Sequence, residues 1–235
     1  MKKLFALLFF FSSFLILNAQ DKKLNLIVGT YTKSCDSKGI YVYEFDSKTA
    51  DFKFKNSSEN IINPSYLSVS NDNKFVYSVS ENDNKSSISA FGYNSKSGKL
   101  DFINHQNPNG LNPCYVINDD KNVIILAKKE LNTIEANYSS GNISVLGKNI
   151  DGSIGEAKQL VQHTGKSINT NRQEAAHAHM VYFSPDKKYV LANDLGTDKV
   201  YVYQYNPNSQ TEVLKLKSSV NCTPGSGPRH LIFSN

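Results

Sequence analysis

Apolar positions in this chain recur at every second residue over short runs, and polar clusters punctuate the runs. "GIYVYEFD" (39–46), "KFVYSVS" (74–80) and "KVYVYQY" (199–205) alternate in this way. The period of two is that of a strand with one face covered. No stretch repeats apolar residues at i, i+3, i+4 and i+7, the spacing a helix face requires. Abundant Tyr, Phe, Ser, Asn and Lys favour strands and turns over helices. The pattern predicts an all-β chain.

The strands fall into a repeat. "NPSYLSVSNDNKFVYSVSENDNKSSISAFGYNSKSGKLDF" begins at Asn63 and "NPCYVINDDKNVIILA" at Asn112, the latter resuming as "ANYSSGNISVLGKNIDGSI". "HAHMVYFSPDKKYVLANDLGTDKVYVYQYN" begins at His177 and "GPRHLIFSN" at Gly227. Each unit opens with an apolar strand, turns at a polar cluster (Asn71-Asp72-Asn73, Asp119-Asp120 or Pro185-Asp186), and continues through further strands. Ahead of them, "LNLIVGTYTKSCDSKGIYVYEFDSKTADFKF" supplies strands two to four of another unit. The third position of each opening strand is Ser65, Cys114, His179 and Arg229. A repeat of roughly 50 residues with four short strands describes a β-propeller blade, and propellers close with about 4–8 blades. Residues 21–235 therefore read as a partial propeller of about four blades, whose last unit breaks off at Asn235. Uncovered sheet faces and edges would favour self-association. The charged stretch Lys128–Glu135 interrupts one unit and reads as a bulged-out loop.

The N-terminus changes the picture of where the protein works. Lys2 and Lys3 precede an apolar run from Leu4 to Leu17, then "NAQ" and the charged "DKK". This is the pattern of a signal peptide over residues 1–20, cleaved near Gln20. The run is shorter than the ~20 residues of a spanning helix, although an uncleaved anchor is the alternative. The expectation is an exported protein, periplasmic or secreted, without stable membrane association. The formal charge of +5 includes the two leader lysines. The remaining excess is small and interspersed, which argues against a nucleic-acid partner. Cys35, Cys114 and Cys222 are odd in number and match no zinc spacing, so free thiols are expected.

Taken in order, "GTYT" (29–32), "GIYVYEFD", "NPSYL", "NPCYV", "ANYSSGNISV", "AHAHMVYFSPDKKYVLANDLGTDKVYVYQY" and "GPRH" resemble the lactonase β-propellers of the 6-phosphogluconolactonase type. The resemblance covers essentially everything after the leader. It implies a seven-bladed ring, of which two to three blades are absent here. It also implies a carboxylic-ester hydrolase that opens a sugar lactone, with no redox cofactor.

Opening a lactone needs water, a base for its proton, and donors for the oxyanion. His179 is a candidate base, because an imidazole titrates near working pH. His177, two residues earlier on the strand, is expected on the same face. Glu174 feeds the same mouth and is a candidate base or an orienter of a histidine. Arg229 and Arg172 are candidate anion clamps through their planar forks. The resemblance places the Glu, the His pair and "GPRH", including His230, at the site. Asp194 is a candidate histidine support or rim residue. Bland readings stand beside these: a hydrogen-bonded rim pair for the histidines, a clamp between blades for Arg229, a solvated carboxylate for Glu174, and turn formation for Asp194 and Asp198. His105 and His163 read as loop residues, and the tyrosine-rich strands as packing. The histidine pair lacks a third metal ligand at any evident spacing, so no metal is assigned, although a metal-dependent hydrolase is a third reading. An exported member suits an unphosphorylated lactone. The competing function is a non-catalytic propeller serving as a binding or scaffold module.

Overall fold

The computed structural model describes residues 23–58, 61–128 and 141–234. The segment read as a signal peptide, residues 1–20, and the charged stretch beyond Lys128 lie outside the described residues. β1 (Lys23–Gly29), β2 (Ile40–Asp46) and β3 (Phe52–Ser58) form a three-stranded antiparallel sheet. Three four-stranded meanders follow. β4 (Leu67–Val69), β5 (Phe75–Ser80), β6 (Ser87–Asn94) and β7 (Lys99–Gln106) make the first of these. β8 (Leu111–Asn118), β9 (Asn122–Lys128), β10 (Gly141–Lys148) and β11 (Ile154–Gln162) make the second. β12 (Ala178–Phe183), β13 (Tyr189–Asp194), β14 (Lys199–Tyr205) and β15 (Leu214–Asn221) make the third. The sheets match the repeat units of the sequence, including the three-strand count of the first.

Alternation dictates the packing. Successive sheets turn apolar side chains to one another, so the core is a series of layers between them. Ile40, Val76 and Phe91 fill the layer between the first two sheets. Tyr77, Val79, Ile88, Val116, Val123, Ile125 and Leu146 fill the second layer. Ile124, Leu126, Ile143, Val145, Val181, Val190, Ala192 and Tyr203 fill the third. Inner strands meet across these layers, β4 and β5 against β8, and β8 and β9 against β12. This radial stacking is the arrangement of propeller blades. Polar bonds also cross it: the Tyr205 hydroxyl donates to Asp119 Oδ2 at 2.7 Å, in reach of Asn122 Nδ2 at 2.9 Å.

The entry to each unit follows from a local conflict. A residue before proline is pushed out of the right-handed helical region. Asn63, Asn112 and Gly227 each precede a proline and sit at φ of 44°, 46° and 57°. Asn and Gly tolerate this left-handed region best. The chain thus enters three units through the same kink.

Two expectations need correction. Residues 227–234 of "GPRHLIFSN" form no strand; they have no ladder partner among the described residues, and an inner strand needs its hairpin neighbour. His105 lies on β7 rather than in a loop. The described residues contain no helix long and apolar enough to cross a membrane.

Candidate functional site at the hub

Ser65, Cys114 and His179 lie at or just before the opening strands of three sheets, and Arg229 follows the last described strand; the ladders around Cys114 and His179 are irregular. β12 pairs Ala178 with Asp194 and Met180 with Asn193, so His179 is an extra residue in a β-bulge. β8 breaks register between Leu111 and Tyr115, the interval that contains Cys114. Bulges re-aim side chains that strict alternation would place elsewhere. The simple expectation that His177 and His179 share a strand face therefore fails: His177 precedes β12, and the bulge separates the two.

The slot residues converge. Arg229 Nη2 donates to His179 Nε2 at 2.6 Å. The Cys114 sulfur lies 3.8 Å from the His179 carbonyl oxygen. The rings of His179 and His230 meet edge-on at 5.3 Å. A guanidinium only donates, so Nε2 must accept and the proton resides on Nδ1. Burial, reinforced by Arg229, His230 and Arg172, holds His179 well below the ordinary imidazole value, at about 4. His179 is thus a neutral acceptor bound to a guanidinium. It does not offer a free lone pair to water, which corrects the simplest view of it as base.

Glu174 and His177 form a separate, partly exposed pair. His177 Nε2 lies 2.8 Å from Glu174 Oε1, with 17% and 48% of the two side chains exposed. Below them, Asp194 is wholly buried and takes no place on the rim. Its Oδ1 accepts the backbone N–H groups of His177, Gly196 and Thr197 at 2.8–3.1 Å. Its Oδ2 meets His163 Nδ1 at 2.8 Å, and His163 Nε2 meets the Tyr203 hydroxyl at 2.7 Å. His163 is therefore a buried structural residue and not an ordinary loop histidine. Gly196 is required here, because a Cβ would stand 1.9 Å from the Ala175 carbonyl oxygen.

Asp198 ties the two loops that carry the candidates. It is almost fully buried. It accepts Gly225 N–H at 2.6 Å and Gly227 N–H at 2.7 Å, just ahead of Arg229. It also accepts Ser167 Oγ–H at 2.5 Å and Gln173 Nε2–H at 2.8 Å, which flank Arg172. Burial alone would raise its carboxyl, but the donors from Ser167, Gly227, Gly225 and Gln173 outweigh it and bring it down to about 2. Turn formation therefore understates its role.

Sequence reasoning missed Glu81 and Gln173. Both Glu81 oxygens lie 3.2 Å from the Tyr31 hydroxyl, and Ser65 Oγ donates to Oε1 in a shorter contact. Tyr31 belongs to "GTYT", which was legible as a motif but not as a site. Among the described residues, no cluster of three or more His, Cys, Asp or Glu side chains is arranged for a metal, and Cys35, Cys114 and Cys222 form no disulfide.

Radially stacked antiparallel sheets with a polar hub define a β-propeller. The chain belongs to the lactonase family of seven-bladed β-propellers, whose profile matches residues 25–235. It is 36% identical over 206 residues to the 6-phosphogluconolactonase of Bacillus subtilis, covering 88% of this chain and 55% of that protein. A candidate 6-phosphogluconolactonase from Bacteroides fragilis superimposes with a TM-score of 0.80 at 38% identity, over 91% of this chain and 58% of that one. The periplasmic gluconolactonase of Pseudomonas aeruginosa gives a TM-score of 0.77 at 30% identity, over 91% and 59%. The chain thus spans a little over half the length of these relatives.

Proposed function

We propose that this protein hydrolyses a sugar lactone at the hub. The observation that carries the reading is the Arg229–His179 bond at 2.6 Å, with Arg172 and His230 acting on the same imidazole. That cluster suits the negative charge that develops on an attacked ester carbonyl. Water adds to the carbonyl carbon and loses its proton to the Glu174–His177 pair. The carbonyl oxygen becomes an oxyanion facing the Arg229 fork. The ring C–O bond then breaks, and its oxygen takes the proton back from the pair to give an open hydroxy acid. His179 orients Arg229 by accepting from it, and Arg172 holds a second anionic or polar group of the substrate. No redox chemistry is needed.

The leader and the relationship to a periplasmic gluconolactonase support export. An exported enzyme suits an unphosphorylated sugar lactone. The test is a pH-stat assay with glucono-δ-lactone. The wild type should exceed the spontaneous rate, and Arg229→Ala should lose about 10²–10³-fold in kcat. A wild-type rate equal to background would favour the non-catalytic binding module.

A further inference from the structure

The hub has a second polar group of side chains, contributed by the first two sheets. Tyr31, 54% exposed, donates to the Glu81 carboxylate, and Ser65 donates to the same carboxylate. This trio adjoins the reacting region. Cys114 lies between the two groups: its sulfur is 3.8 Å from the His179 carbonyl oxygen, and it neighbours the Tyr31 hydroxyl.

A purely structural role would be to join the two sheets, but Asn63 already does so beneath the trio. Buried Asn63 accepts the Thr32 and Lys33 N–H groups at 2.9 and 3.2 Å through Oδ1, and donates from Nδ2 to the Glu81 carbonyl at 2.8 Å. Its backbone N–H donates to Thr32 Oγ1 at 3.1 Å, and its carbonyl accepts the Ser65 and Glu81 N–H groups. Gly29 lies so close that a Cβ would stand 1.9 Å from the Pro64 carbonyl oxygen. The backbone under the trio is therefore fixed without help from the Tyr31 or Glu81 side chains. A preorganised polar set on a fully bonded supporting shell is the construction of a binding site.

We infer that Tyr31, Ser65 and Glu81 form a hydroxyl-binding subsite that receives the polyol portion of the substrate. The inference rests on the lactonase reading and names the substrate class. A carboxylate that accepts two O–H donors from the protein matches a vicinal diol, which presents two O–H groups on adjacent carbons. Burial and the neighbouring Glu81 keep the Tyr31 phenol protonated, so it remains a donor. Glu81 selects hydroxylated lactones, while the Arg229 side of the hub handles the ester.

The test compares glucono-δ-lactone with δ-valerolactone, which has the same ring ester and no hydroxyl groups. Glu81→Gln and Tyr31→Phe should each lower the ratio of kcat/KM for gluconolactone to that for valerolactone, by about tenfold for Glu81→Gln. A ratio equal to the wild type's would overturn the subsite while leaving the lactonase reading intact. Calorimetry with sodium gluconate, the unreactive open-chain polyol, decides the matter if neither lactone is hydrolysed. Binding by the wild type that weakens about tenfold in Glu81→Gln supports the subsite, and absent or unchanged binding refutes it. Tyr31→Phe, which keeps the ring, serves for both assays should the Glu81 variant fail to fold.

Discussion

The Arg229 guanidinium donates to Nε2 of His179 across two successive units of the repeat, at 2.6 Å. That bond fixes the imidazole tautomer and makes protonation of the ring compete with a cation. Replacing Arg229 with Met should therefore raise the His179 titration midpoint from about 4 toward the ordinary 6.5, without reaching it, because burial remains. NMR titration of the histidine resonances would show it, and an unmoved midpoint would contradict the pairing.

The same histidine sets a pH dependence of stability. In the folded protein its value is depressed, so the unfolded chain binds the proton first as pH falls. His179 thus contributes stability that is fully present above 6.5 and is lost between 6.5 and about 4. Denaturant titrations across that interval should show a shallower loss in His179→Gln than in the wild type.

Asp198 should govern the geometry of Arg229 from a distance. Asp198→Ala strands the Gly225 and Gly227 N–H groups. A stability loss of about 1–3 kcal/mol is expected for buried donors left unpaired. If positioning is its role, kcat should fall more than KM rises, and Asp198→Glu should restore part of kcat. Equal effects of Ala and Glu on kcat would sink that role.

Tyr203→Phe removes the hydroxyl that His163 meets in the buried Asp194–His163–Tyr203 chain. A cost of about 1–3 kcal/mol follows. Asp194→Ala should cost more, since three backbone N–H groups and His163 lose their acceptor together. Thermal melting of both variants would rank them, and the reverse order would be unexpected.

Gly196→Ala should damage the mouth specifically. The added methyl cannot coexist with the Ala175 carbonyl oxygen or with His177 N–H, 2.7 Å from the same point. The Glu174–His177 pair must shift, and kcat for lactone opening should fall at least tenfold. An alanine variant with unchanged kcat would remove that pair from the mechanism.

The fold was legible because alternation and turn residues repeat. The run "KVYVYQY" could only be a strand, and the three-strand count of the first unit followed from "LNLIVGTYTK" onward. The slot Ser65, Cys114, His179 and Arg229 was legible for the same reason, as a fixed offset in a repeat. What escaped depended on partners far apart in sequence. Nothing around Glu81 announces Tyr31, fifty residues earlier, and nothing in "QHTG" announces Asp194. The bulge at His179 also escaped, because an extra residue in one strand is defined only against its partner. Strict alternation therefore placed His177 and His179 together when the ladder separates them.

Because His179 is an extra residue in the ladder, its identity is decoupled from the framework that carries it. Such sockets can be refitted with other side chains while the surrounding architecture keeps its shape. The hub is thus a place where side chains can be exchanged one at a time while the blades stand.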